Sequence, residues 1–300
     1  MTGLLSNGTA GNGRHNGRVV DENAPLLSRS SPRKGRVGLR ARMGAEVSCS
    51  WADAVLLACY LVTGLLDSCS IQVWGSFVSM QTGKSRTALR VQQLAVSANT
   101  QSGNTVYVGL GLASLVSTTT SPRLFKSAVS ISSFCVGSFL FARFHRFFSP
   151  RRRWVLCASF AAQALLTIAA ALITTTYPPT GNEDPFAWNV LVPIALIAFQ
   201  SCGQAVASRA LRQNAFISVV LTSIYCDLFS DRDLFALHNV GRNRRVVAPL
   251  LLVLGAVLGG LFANSSVGIA GALWLAAGLK FCMVVTWFFW PAEEDSEWEE

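Results

Sequence analysis

The sequence is short of charge. Only 14% of its 300 residues are Asp, Glu, Lys or Arg, while 51% are hydrophobic. A soluble domain carries about 25% charged residues, so one large water-soluble core is excluded. The sequence is also short of histidine: His15, His145 and His238 lie in tails or between apolar blocks. No HExxH, no GxSxG and no phosphate-cradling glycine loop is present. Catalysis therefore has no signature to rest on, and neither a catalytic residue nor a cofactor is expected. The eight cysteines form no CxxC pair and no zinc spacing, which removes a metal centre and a disulfide framework. The first fifty residues lack the apolar run of a cleavable signal peptide.

Long apolar blocks are what the sequence does have. They run over residues 54–74, 125–144, 154–176, 188–207, 246–263 and 268–290. A helix needs roughly 20 apolar residues to cross the hydrocarbon core, and these blocks meet or approach that length. Two further segments are shorter or interrupted by polar residues, 75–120 and 215–229. The expected fold is therefore all-α: a polytopic transmembrane helical bundle over residues 52–290. Residues 1–50, rich in Gly, Asn, Ser and Arg, read as a disordered basic cytosolic tail. Residues 291–300 read as an acidic C-terminal tail.

The net charge of +9 is distributed around these blocks. No nucleic-acid motif accompanies it, so the partner it implies is the lipid bilayer and no nucleic acid. The first fifty residues hold eight Arg or Lys against three acids. Further clusters are Arg143 to Arg153, Arg209 with Arg212, and Arg242 to Arg245. The loop at 177–185 has two acids and no base. If the segments near Thr82 and Thr222 are broken or re-entrant, six full spans place every large basic cluster in the cytosol, as the positive-inside rule requires. Only Arg123 and Lys126 then fall on the other side. An eight-span alternative puts the Arg143 to Arg153 cluster outside.

An internal repeat accompanies this pattern. Arg123 leads an apolar run to Gly137-Ser138-Phe139-Leu140, and Arg245 leads one to Gly259-Gly260-Leu261-Phe262. Each follows a Thr-containing polar break. Two three-span halves of opposite orientation with broken helices are a transporter pattern. Resemblance between any two glycine-bearing apolar helices is the alternative.

Residues 84–103 do not match their surroundings. The run from Lys84 to Gln93 is polar and basic inside a membrane region, where long polar insertions are disfavoured. Reverse translation permits a splice donor at Gly83-Lys84-Ser85, a fungal-type branch point at Ala98-Asn99 and an acceptor at Ser102-Gly103. The stretch therefore reads as a non-native insertion, a retained intron in a fungal gene. The alternative is a genuine loop.

Without it, Gly64-Leu65-Leu66-Asp67 is followed by Phe77-Val78-Ser79-Met80-Gln81-Thr82-Gly83 and then Asn104-Thr105-Val106. This resembles the YoaK-like family of uncharacterised polytopic membrane proteins, also called domain of unknown function 1275. Val220-Leu221-Thr222 through Asp227 resembles the family's second-half element. The resemblance implies a membrane fold over about residues 52–290 and no specific activity.

The candidate ligand-binding residues are Asp67, Thr82, Gly83, Asn104, Thr105, Thr222 and Asp227. A carboxylate within an apolar block must face the bundle interior or water, and small polar residues at a break free backbone groups to bind an ion or polar ligand. Asp67 and the Thr82-Gly83-Asn104 break are expected to meet, facing Thr222 and Asp227. Gln72, Gln81, Gln200 and Gln204 are candidates for the same cavity, and Lys280 is expected to pair with Asp67 or Asp227. The alternative throughout is hydrogen bonding between helices alone. Function is expected to be transporter- or channel-like, for a small polar solute or ion. The other reading is a non-transporting scaffold or receptor-like protein. Glu22 with Leu26-Leu27 resembles an acidic dileucine signal, which points to the vacuole or endosome; the expected location is a fungal vacuolar, endosomal or plasma membrane. Composition leaves the oligomeric state open.

Overall fold

In lipid, every backbone N–H and C=O must find its partner within the protein, which restricts spanning segments to helices and closed barrels. The apolar blocks take the helical solution. The computed structural model describes residues 39–48, 52–79, 103–116, 122–178, 186–211, 221–232 and 239–291. Along them run α1 (Leu39–Gly44), α2 (Ala52–Val73), α3 (Asn104–Val116), α4 (Pro122–Phe147), α5 (Arg153–Thr176), α6 (Trp188–Ala210), α7 (Leu221–Phe229), α8 (Val240–Ala263) and α9 (Gly268–Phe289). Six of them, α2, α4, α5, α6, α8 and α9, are long and apolar enough to cross a membrane. Residues 80–102, which contain nearly all of the 84–103 stretch, lie outside the described residues, as do most of both tails.

The surface and interior divide as lipid demands. Leu250, Val253, Leu254, Val257 and Leu261 of α8 are exposed, whereas Thr63, Gln163, Thr167, Gln200, Gln204 and Lys280 are buried. Polar groups in hydrocarbon find hydrogen-bond partners only between helices.

Three pairings build the bundle: α2 with α8, α5 with α9, and α4 with α6. The α2–α8 pair is the closest. A Cβ on Gly64 would lie 2.0 Å from the Leu252 carbonyl oxygen. One on Gly255 would lie 2.1 Å from that of Leu61, and one on Gly259 2.3 Å from that of Leu65. Small residues let membrane helices approach backbone to backbone, where dispersion rather than a hydrophobic effect supplies the attraction. From Asp53 beside Arg244 to Gln72 beside Gly260 the contacts advance along both helices, so α2 and α8 run parallel. At their starts Asp53, itself buried, forms an ion pair of 2.6 Å with Arg244.

Helices α4 and α6 are also parallel. Phe125 meets Phe186 near their starts, with ring centroids 4.5 Å apart. Further along, Phe141 packs on Cys202 and Val206. A Cβ on Gly137 would lie 2.8 Å from the Phe199 carbonyl oxygen. By contrast α5 and α9 are antiparallel. The Arg153 guanidinium donates to the Trp290 carbonyl at 2.6 Å. At the opposite end Trp274 Nε1 donates to Thr175 Oγ1 at 3.2 Å.

One exchange relates these pairings. Swapping α2, α4 and α5 with α6, α8 and α9 turns α2–α8 into α6–α4 and returns α5–α9 to itself. Gly137 and Gly259 then play matching parts, each against the first helix of the other half. The sequence spacing from Arg123 to Gly137 equals that from Arg245 to Gly259. The repeat legible in the sequence is thus present in the packing.

The ends are legible as well. Lys126, near the start of α4, donates to the Trp74 carbonyl just past the end of α2 at 3.2 Å, so α4 begins where α2 ends. The turn from α4 to α5 lies beside the segment before α2, with Arg153 N donating to Ala45 O and Val47 N to Arg151 O. The connection through α3 therefore returns to its own side. This is the six-span arrangement, with the arginine clusters around 143–153 and 242–245 at one end.

Candidate functional site

The site begins where α2 stops. Trp74 and Gly75 close the last turn on Ser70 and Ile71. Gly75 has φ of 74°, a left-handed conformation that only glycine adopts without cost. The chain reverses there, and residues 76–79 run back into the bundle with no helical hydrogen bonds of their own. Ser76, Phe77, Val78 and Ser79 are all buried.

An unwound backbone at membrane depth needs protein partners for its amides and carbonyls, and two side chains supply most of them. Asp67 Oδ1 accepts from the Val78 and Ser79 amides at 2.9 and 2.8 Å. Its Oδ2 accepts from Ser79 Oγ at 2.6 Å. Asp67 sits six residues before the end of α2, about 9 Å along the helix at 1.5 Å per residue. The returning strand therefore reaches well below the helix terminus. The carboxylate's burial is offset by charge-assisted hydrogen bonds.

Asn104, the first residue of α3, uses both ends of its amide. Its Nδ2 donates to the Phe77 carbonyl at 2.8 Å and to Ser130 Oγ at 2.9 Å. Its Oδ1 accepts from Phe77 N at 3.3 Å, from Ser76 Oγ at 3.1 Å and from Ser127 Oγ at 3.3 Å. Ser130 Oγ also donates to the Phe77 carbonyl at 2.9 Å. Ser201 of α6 donates to the Val78 carbonyl at 3.2 Å. The broken segment is thus gripped by α2, α3, α4 and α6 together.

A second polar layer lies deeper in the bundle. Thr63, one turn before Asp67, donates to Gln204 Oε1 at 3.2 Å. Gln163 of α5 packs against Gly203, where a Cβ would lie 2.7 Å from Nε2. Lys280 of α9, fully buried, donates to Gln163 Oε1 at 2.5 Å.

Several expectations need correction. Asp67 and Asn104 join the broken segment, but they meet it at Ser76 to Ser79. Thr82 and Gly83 lie outside the described residues, as does Gln81. Thr105 is exposed on α3, because the helix that buries Asn104 turns the next side chain outward. Asp227 is exposed on α7 and does not join the buried cluster. The short α7 packs chiefly on α8 and turns Tyr225, Cys226 and Asp227 away. Thr222 lies in α7, and its side-chain surroundings lie outside the described residues. Gln72 is exposed. Lys280 is bound by a glutamine rather than by either aspartate. Sequence reasoning passed over Asp53, Gln163 and the serines at 76, 79, 127, 130 and 201. The pair Ser127 and Ser130, three apart in a helix, shares one face and was the available signal.

A bundle with six helices long and apolar enough to cross a membrane, and a re-entrant break held by a carboxylate and a carboxamide, defines a multi-pass integral membrane protein. Its family follows from the sequence match. Residues 88–286 match the family described as "Protein of unknown function (DUF1275)", and the chain belongs to that family. The matched region takes in α3 through most of α9, while α2 and its Asp67 precede it. No curated protein and no solved structure matches.

Proposed function

We propose that this chain moves a small polar solute or ion across the membrane. The observation that carries the reading is the unwound segment 76–79, folded back into the bundle and held by Asp67 and Asn104. Non-helical backbone at membrane depth costs heavily unless it is buried in protein or lines a pathway. Transporters of inverted-repeat architecture place such breaks at the substrate site. The exchange of α2–α8 with α4–α6 supplies that architecture, and the Thr63, Gln163, Gln204 and Lys280 layer continues the polar interior beyond the break. The reading involves no covalent chemistry, no cofactor and no metal. Its site of action is a vacuolar, endosomal or plasma membrane, and the Glu22 and Leu26-Leu27 signal favours the first two.

The test is flux in proteoliposomes. Purified protein is reconstituted and charge movement is recorded on a solid-supported membrane during jumps of small inorganic ions, amino acids and short organic acids. Wild type should give a saturable signal for at least one solute. Asn104→Ala, which frees the broken segment, should abolish it in protein that still elutes as a single species. A folded wild type silent to the whole panel, in electrical and tracer assays alike, would sink the transport reading and favour a scaffold or receptor-like role.

A further inference from the structure

We infer that Lys280, Gln163 and Gln200 form a binding site for a small anion of single negative charge, such as a halide, nitrate or short carboxylate. The inference rests on the transport reading and deepens it by naming the class of solute.

The argument starts from charge. Lys280 lies midway along α9 and is fully buried. Its Nζ donates to a neutral acceptor, Gln163 Oε1, and sits 5.6 Å from the Phe160 ring centroid. The ion pairs of Arg244 with Asp53 and of Arg245 with Asp231 lie near the start of α8, remote from it in sequence. A buried ammonium without a carboxylate is among the costliest groups a protein can hold, and intramembrane ionisable residues mark solute pathways. A carbonyl oxygen and a ring face compensate a cation only in part.

The second observation is independent. Gln163 Nε2, Gln200 Nε2 and Gln200 Oε1 are buried and have no hydrogen-bond partner. Buried amides are almost always satisfied, and a buried polar atom left alone costs the full desolvation of the group. One of these orphans belongs to the glutamine that holds the lysine. Gln163 carries Nζ on one amide atom and presents the other, a donor, toward Gly203. Gln200 lies one turn before Gly203 and Gln204 on the same face of α6. Gly203 is required there, since a Cβ would strike Gln163. An ammonium and the unpaired donors of two carboxamides are an anion's complement, and the Gln200 Oε1 acceptor is left to a water bound beside it. One lysine sets the charge at one.

The experiment is equilibrium binding by thermal stability in detergent, with sodium nitrate as probe and sodium gluconate as the large-anion reference at equal ionic strength. A ligand that binds the folded state raises its melting temperature with concentration. Wild type should melt progressively higher in nitrate than in gluconate. Lys280→Met should weaken the apparent nitrate affinity roughly thirtyfold or more, as removing a buried charge from a hydrogen-bonded pair does. Gln163→Glu supplies a carboxylate where the lysine already bonds. It should raise stability in gluconate and erase the nitrate dependence, which a purely structural glutamine would not do. Equal nitrate dependence in wild type and Lys280→Met would overturn the site, as would no nitrate dependence in folded wild type. The measurement needs no flux. A protein that binds nitrate but passes nothing keeps the site and loses the transport reading. One that carries a cation with no anion dependence does the reverse.

Discussion

The two halves share a plan and spend it differently. In the first half, α2 carries Asp67 two residues beyond Leu65, whose carbonyl faces Gly259. In the second, α6 carries Ser201 two residues beyond Phe199, whose carbonyl faces Gly137. The matched positions both reach the same segment: Asp67 accepts from the Val78 amide, and Ser201 Oγ donates a hydrogen bond to the Val78 carbonyl. The symmetry of the helices is therefore not a symmetry of chemistry. Both halves grip the first half's break, while α7 turns its carboxylate, Asp227, outward. A duplicated scaffold can hold its packing fixed and let one copy specialise in binding.

This contrast can be broken at several strengths. The largest effect should come at the α2–α8 contact. Gly64→Val places a side chain where only 2.0 Å separates the Cβ from a carbonyl, and neither backbone can yield. No monodisperse protein should survive by size-exclusion chromatography. Gly137→Ala in the matching pair meets the Cys202 Sγ at 2.6 Å and Phe199 O at 2.8 Å. It should cost about 1–3 kcal/mol, as overpacking usually does, and leave folded protein. Equal sensitivity would show that the two pairs are as alike in tightness as in plan.

Next comes the grip on the break. Asp67→Ala strips acceptors from two buried amides and a hydroxyl, and should cost about 3–5 kcal/mol in thermal or denaturant unfolding, the range for a broken buried charge network. Asp67→Asn should cost much less, because its oxygen can keep both amides and its NH2 can donate to Ser79 Oγ. If the two variants unfold alike, the carboxylate holds the strand by charge alone. Ser201→Ala should cost about 1 kcal/mol, the loss of one neutral hydrogen bond.

Removing residues 84–103 acts in the opposite direction. The Asn104 side chain touches Phe77, so Ser79 and Asn104 lie near each other. The four residues 80–83 supply five Cα steps, at most about 19 Å at 3.8 Å each, enough to join them. The shortened chain should reach the membrane at higher level on a quantitative immunoblot. Unchanged expression would mark the stretch as an ordinary loop. The smallest effect belongs to Asp227→Asn, an exposed change expected within about 0.5 kcal/mol. A large loss there would place Asp227 in the site after all.

How much of this was legible follows from what each signal measures. Block length found the six spans, because crossing lipid is a requirement on length. Equal spacing from Arg123 to Gly137 and from Arg245 to Gly259 found the repeat. Asp67 stood out because a carboxylate inside an apolar run has few tolerable surroundings. Asn104 was found through the break it closes. Asp53 was missed because it sits at the block's edge, where a charge reads as a flank. Gln163 was missed because one glutamine in an apolar run gives no hint of the lysine more than a hundred residues on that uses it. Asp227 misled because its burial depends on the rotation of a nine-residue helix, which composition does not fix. The serines gripping Phe77 and Val78 are individually weak and act only as a set, which sequence alone does not assemble.

The parallel embrace of α2 and α8 has a consequence for biosynthesis. Gly64 on α2 waits for a partner nearly 190 residues later in the chain, since it closes on Leu252. At roughly 5–20 residues per second of translation, that interval is on the order of ten to forty seconds. During it α2 already lies in the membrane, with Asp53 unpaired and its notched face open to lipid or to the insertion machinery. The nascent protein must therefore be sheltered until its fifth span emerges. Ribosome-bound chains truncated before α8 should crosslink from position 64 to the insertion apparatus, and chains extended beyond α8 should lose that crosslink.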